Sequence, residues 1–374
     1  MKTVVTVIFL LIFSLLLLPT EIIDNLNKPQ KGTWNFSPKK EWSLDNIEKN
    51  ILSEVLCIRA DKQGNLFVPE SKEQTVFIIS PKGKLIRKFG RTGQGPGEFT
   101  SVGHMFLVNK SLIFPEMGKI HFFSLKGDLI KDVKLKGMCI PEIFIDENRL
   151  IKFSRTMLNT SPGVNHMLVV DLRTQIPRKI LSMKGEESIL KYSKDGNMMS
   201  FKVPEVTSTT VFAVHNNNVF YSENRGYEIN KIDLEGKNLL TIKVLNRKKH
   251  QISLELKKKV IEDQIKGFPS APKDVLKVMI EQIPNEFPYF HKIFVNDKGF
   301  IFALLNNMNK PNTTEIDIFS PQGKYLYNGT IDLSKDFERL LVLDFCMSRN
   351  EFFVFAEDKE GEYWLSKYNI QLPQ

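Results

Sequence analysis

One short pattern recurs six times along this chain: a strand, a turn bearing Asp or Asn, a second strand, a polar gap, a third strand, then Gly-Lys and a fourth. The clearest copy runs from Val55 to Gly90 (VLCIRADKQGNLFVPESKEQTVFIISPKGKLIRKFG). A second follows from His104 to Leu135, and others begin near Glu142, Thr210, His291 and Leu341. A unit of three or four short strands cannot bury both of its faces alone, so it must stack against its neighbours.

Two copies match closely. Val55 to Ala60 reads as an innermost strand and Asp61-Lys62-Gln63-Gly64-Asn65 as a tight turn. Leu66 to Val68, Thr75 to Ser80 and Lys84 to Phe89 then follow as strands two to four. The fifth copy has the same layout, with the turn Asn296-Asp297-Lys298-Gly299, and both carry Ser-Pro-x-Gly-Lys ahead of the fourth strand. The sixth copy supplies Leu341 to Met347, Phe352 to Ala356 and Tyr363 to Ile370, with no fourth strand. An unpaired sheet edge is a liability. Gly32 to Leu44 precedes the first copy without a partner there, so it is expected to complete the last unit and close a ring. The expected fold is all-β: a six-bladed β-propeller of four-stranded blades over residues 32–374, its last blade closed by an N-terminal strand. Two interruptions stand out. Residues 246–288 switch to helical apolar spacing (Ile252, Leu256, Val260, Ile261, Ile265, then Val275, Leu276, Met279). Ser253 is placed to cap a first helix, and Ala271-Pro272-Lys273-Asp274 to begin a second. A less regular insertion covers Met183 to Ser208.

Of the 374 residues 42% are hydrophobic, and Phe is abundant at 28 copies inside strand-like runs such as Phe352-Phe353-Val354-Phe355. Net charge is +9, but the lysines are scattered through turns and interleaved with acids. The runs Arg247-Lys248-Lys249-His250 and Lys257-Lys258-Lys259 lack an aromatic stacking platform, so they read as a solvated helical face and nucleic acid is not an expected partner. A basic start, an apolar stretch from Val4 to Leu18, and Pro19-Thr20 read as an export signal over residues 1–20. The stretch is shorter than the roughly 20 residues of a comfortable span. It lacks a small-residue cleavage site, so retention as a membrane tether stays open. The expected location is periplasmic or extracellular. The odd set Cys57, Cys139 and Cys346 excludes a fully paired framework, and buried free thiols are expected.

At the first crossing between repeats the chain reads Gly90-Arg91-Thr92-Gly93-Gln94-Gly95-Pro96-Gly97-Glu98-Phe99. This resembles the Gly-rich junction of NHL-type repeats, and Gly64 to Val68 through Gly83-Lys84-Leu85 resembles the body of such a repeat. With the export segment and the helical insertion, the chain looks like the bacterial six-bladed β-propeller family. That resemblance implies the fold and an extracytoplasmic setting and carries little chemistry.

The glycine cluster leads into a strand and not a helix N-terminus, so the phosphate-cradle contexts fail. Its glycines are expected to supply positive φ at the crossing. Acids recur at the end of the second strand: Glu70, Glu116, Glu223 and Glu357, with Arg155 in that place in the third repeat. Their turns share a face with Arg91, so a ring of charge at the channel mouth is the candidate ligand site. The leading expectation is a monomeric, non-catalytic binding or scaffolding module for a protein or small ligand. The competing one is a metal-assisted hydrolase or lyase with a divalent cation in the channel near His104 or His291. No Gly-x-Ser-x-Gly elbow or His-rich ligand motif marks a catalytic centre, and no cofactor is expected.

Overall fold

The computed structural model describes residues 20–373 apart from 48–49, 136–141, 157–162, 186–188, 193–197, 202–205, 207–208 and 266–272. The apolar N-terminal stretch and Cys139 lie outside the described residues. Six blades of four antiparallel strands repeat in order around a ring, two of them extended by a fifth, N-terminal strand. Blade 1 consists of Arg59–Ala60, Leu66–Glu70, Thr75–Ile79 and Leu85–Phe89. Blades 2 to 5 occupy 106–134, 143–184, 211–244 and 290–332. Blade 6 is built from Arg339–Cys346, Glu351–Glu357, Tyr363–Asn369 and the N-terminal strand Lys39–Leu44. The first strand of blade 1 is shorter than its sequence suggests. It pairs at Arg59 and Ala60, with one further bridge at Val55, and between them Cys57 turns toward blade 2, where its sulfur accepts from the Met105 amide (3.2 Å).

Strand alternation explains why the second strands read as unbroken apolar runs. Leu66 and Val68 pack into a cluster shared with blade 6, while Phe67 between them packs into the cluster shared with blade 2. Phe352 and Val354 likewise face blade 5, whereas Phe353 and Phe355 face blade 1. Both faces of these strands are buried, so both parities must be apolar. Each of six hydrophobic clusters draws on two neighbouring blades, and a seventh belongs to the helical insertion.

The N-terminal segment does more than close the ring. Lys39–Leu44 pairs antiparallel with blade 6, from Lys39 opposite Asn369 to Leu44 opposite Leu365. Thr33–Trp34, expected in the same closing strand, instead lies parallel to the outer strand of blade 5. Glu21–Asn25 forms a fifth, parallel strand on blade 4. The buried Asn25 side chain joins these two blades. Its amide donates to Lys243 O (3.1 Å) and Gly323 O (2.9 Å), and its oxygen accepts from the Tyr325 amide (2.8 Å). The segment is thus a belt around three consecutive blades.

At the closure, the Lys367 ammonium is buried and has three acceptors for its three hydrogens. They are Glu41 of the belt (2.9 Å), Glu351 of blade 6 (2.9 Å) and the Pro81 carbonyl of blade 1 (3.3 Å). Trp42 also donates to Pro81 O (2.9 Å).

Turns joining the first to the second and the third to the fourth strands share one face of the disc, here the turn face. Crossings between blades lie on the opposite, connection face, which carries both insertions. Helices α1 (Leu254–Ile265) and α2 (Lys273–Gln282) form as expected, and Ser253 caps α1 by accepting from the Leu256 amide (3.1 Å). The other insertion contains a hairpin, Ile189–Tyr192 with Met198–Phe201, lying beside α2.

A protein starting at residue 31 loses the parallel strand and the three Asn25 hydrogen bonds, each worth about 1 kcal/mol. Its thermal midpoint should fall below that of a protein starting at residue 20. Lys367→Ala leaves buried Glu351 short of a partner and should cost about 3–5 kcal/mol in denaturant unfolding.

Candidate ligand site at the mouth of the central channel

The recurring acids sit on the connection face, but their carboxylates do not form a ring. Glu70 is 1% exposed. It accepts from Ser53 Oγ (3.0 Å) and from the amides of Glu54 (3.1 Å) and Glu73 (2.7 Å). Glu116 is buried as well, accepting from the Thr100 amide (2.7 Å) and hydroxyl (2.9 Å) and from the Ser101 amide (3.0 Å). Each holds the incoming crossing against its blade, because that chain presents backbone donors that no strand satisfies. Glu223 lies beside Arg225 (3.9 Å) in a shallow depression of blade 4. Arg155 is opposite Asn165 in the blade 3 sheet, and its side chain lies outside the described residues. Arg91 is 80% exposed and pairs with Glu98 within its own loop (2.7 Å). The Gly-rich junction is therefore self-contained. Gly90 and Gly97 have positive φ as expected, whereas Gly93 and Gly95 do not; a Cβ on Gly93 would meet the Glu98 carboxylate at 2.0 Å and make that side chain turn away.

Glu357 does not line a cavity itself but adjoins one through its partner. It accepts from Arg339 Nη2 (2.8 Å), and Arg339 lines a cavity of about 470 Å³ between the first strands of blades 5 and 6. Lys292, His291, Leu341 and Leu56 of blade 1 contribute to the same wall. Just inside, one carboxylate faces two cations: Asp344 lies 3.3 Å from Arg59 and 3.2 Å from Lys292. Lys292 Nζ also donates to Leu343 O (3.2 Å). These side chains stand deep within the ring yet touch the solvent of the channel. Burial pulls the Lys292 ammonium below its ordinary value, and Asp344 opposes that pull. Burial also works against the Arg59 guanidinium, but Asp344 and Cys57 together hold it above its ordinary value. The Cys57 thiol is pushed up, chiefly by burial, and stays neutral.

His104 and His291, both open to solvent, sit below their ordinary values. Burial first, and the Arg59 charge second, keep His104 below its ordinary value. His291 is pushed down to about 4, mainly by burial, with Lys292 adding to the effect. Its Nδ1–H donates to Leu305 O (3.3 Å), which works the other way. Among the described residues no three His, Cys, Asp or Glu side chains gather as a metal-holding set.

Sequence reading missed Arg59, Lys292, Asp344 and Arg339. A signal was present: VLCIRA, FHKIF and LVLDFC each place one charge inside an otherwise apolar first strand. A charge there costs much desolvation unless it is paired or faces the channel.

The profile of a family described as a 6-bladed β-propeller (DUF5128) matches residues 43–270. No curated protein matches the sequence. Among solved structures, a DUF4221-family member from Bacteroides vulgatus superposes with a TM-score of 0.55 at 10% identity, over 91% of this chain and 99% of that one. A Bacteroides fragilis protein predicted to be exported gives 0.50 at 12% identity, over 94% of this chain and 100% of that one. Virginiamycin B lyase from Staphylococcus aureus gives 0.42 at 11% identity, over 90% and 100%. At these identities the likeness is one of fold alone.

The Glu116 contacts predict a signed pH effect. Burial would raise this carboxyl, but the Ser101 and Thr100 hydrogen bonds outweigh it and hold it below its ordinary value of 4.5. Its contribution is therefore complete above 4.5 and is lost as pH falls through the lowered folded value. Glu116→Gln should cost about 1–3 kcal/mol at neutral pH. In thermal melts across pH 3–7, the gap between variant and wild type should close at the acid end.

Proposed function

The chain belongs to the DUF5128 family of six-bladed β-propellers, and on that premise we propose that it is a non-catalytic binding module that holds a small ligand at the connection-face mouth of its channel, outside the cytoplasm. The observation that carries this is the cavity of about 470 Å³, walled by first strands of the ring and not by loops alone. Its size falls within the range of small-molecule sites, and strands hold a site more rigidly than loops do.

Side-chain chemistry supports binding over turnover. The buried Cys57 and Cys346 thiols are both raised by burial, which disfavours the nucleophilic thiolate. His104 and His291 each feel a neighbouring cation, Arg59 and Lys292, which opposes metal capture at either imidazole. The export setting rests on the basic-then-apolar start of the chain. Among the described residues no helix is long and apolar enough to cross a membrane. Thr20 donates to Asn238 O (3.0 Å), at the turn-face end of the outer strand of blade 4. Thr20, the first described residue, therefore stands at the face opposite the cavity.

Leu341→Trp fills the mouth without touching the charged groups. Native mass spectrometry against a small-molecule library should show ligands retained by wild type, released unchanged in mass, and lost by the variant at an unchanged thermal midpoint. Recovery of chemically altered ligands, or equal retention by the variant, would overturn the reading.

A further inference from the structure

We infer that the ligand of this cavity is a small organic anion with an apolar body, its acid group set against Lys292 and Arg339 and its tail against Leu56 and Leu341. The inference rests on the binding reading above and adds the ligand's chemical class.

Charge is distributed unequally between the two mouths of the channel. The cavity on the connection face is lined by Lys292, Lys310 and Arg339, and no Asp or Glu lines it. The cavity of about 610 Å³ on the turn face is balanced, with Asp61 and Asp297 against Lys62 and Lys110. Behind the connection-face wall Asp344 is shared between Arg59 and Lys292 and Glu357 pairs with Arg339, so two carboxylates stand against the four cations Arg59, Lys292, Lys310 and Arg339. Cys57, His104 and His291 add no charge at neutral pH.

Hydrogen-bond capacity points the same way. Arg339 gives Nη2 to Glu357, yet its side chain stays 42% exposed, so guanidinium hydrogens remain open to a ligand. Lys292 uses two of its three hydrogens, on Leu343 O and Asp344. Charge-assisted bonds from such donors to an anion are about twice as strong as neutral ones, and the partly enclosed wall strengthens them further. The apolar part of the wall is equally specific. Leu56, just ahead of the first strand of blade 1, is 53% exposed, and Leu341, on the first strand of blade 6, is 39% exposed. Both line the cavity, so their bare surface faces its interior. Cationic donors beside bare leucines match an amphiphilic acid and reject an ammonium.

Four probes of six carbons each separate the contributions: hexanoate, hexanesulfonate, hexanol and hexylammonium, titrated calorimetrically at pH 7 and low salt against the protein starting at residue 20. The two anions should bind at least about tenfold more tightly than hexanol, the equivalent of roughly 1.4 kcal/mol, and hexylammonium should not bind. Lys292→Gln should weaken both anions by about tenfold and leave hexanol unchanged. Asp344→Asn should tighten them, and Leu56→Ser should weaken anions and alcohol alike. If Lys292→Gln fails to fold, Arg339→Gln should show the same selective loss. Equal binding of hexanol and hexanoate, each weakened by Leu56→Ser, would overturn the anion assignment and leave the binding reading standing. Binding of none of the four would overturn the anion inference, while the library experiment with Leu341→Trp decides the binding reading separately.

Discussion

No blade of this ring can bury both faces without its two neighbours, so the whole structure depends on the contact that joins the last blade to the first. Within the last blade this closure rests on strands more than 300 residues apart in sequence, with the Ser43 and Ser366 hydroxyls 2.6 Å from each other. Its centre is Lys367, whose ammonium touches the belt, blade 6 and blade 1 at once. A buried cation with three well-placed acceptors does not have to add much net stability. Its value is geometric: only the closed ring supplies all three acceptors together.

Closure also explains the channel. Once six first strands converge on an axis, a charge on any of them is brought near charges on the others. Arg59, Lys292 and Asp344 come from blades 1, 5 and 6 and meet within ion-pair distance. Such groups are tolerated because the channel admits solvent, which lessens the desolvation that a packed interior would impose. The same geometry leaves Leu56 and Leu341 bare, since the first strands, and Leu56 just ahead of one, have no neighbour on their axial side. A polar-and-apolar pocket at the axis thus follows from ring closure together with a few side-chain choices.

The N-terminal belt gives the disc a direction. Its first described residues run beside blade 4, its middle beside blade 5, and its last strand enters blade 6. Beyond blade 4, Asp317 of blade 5 accepts from Tyr325 (2.6 Å) and pairs with Arg247 (3.1 Å) on the chain leaving blade 4. The blades that the belt spans are therefore tied by polar contacts as well as by their shared apolar clusters.

The repeat made the architecture readable without coordinates. Alternating apolar residues and Gly-bearing turns are local signals, which is why six blades, the two inserted helices and, within Gly32 to Leu44, the missing strand of the sixth blade could all be recognised. The parallel strand Glu21–Asn25 could not, because its pairing to Leu240–Val244 leaves no local trace in EIIDN. The acids showed the same limit. Glu70 and Glu116 recur at equivalent positions, but recurrence alone does not distinguish a ligand group from a cap on a backbone crossing. Sequence by itself determined the fold class and the faces of each strand, since those depend on residue type and spacing a few positions apart. Only the tertiary structure decided which charges meet at the axis, which carboxylates are taken up by amides, and where apolar surface stays bare. Those outcomes depend on distances between blades, and these are set only when the ring closes.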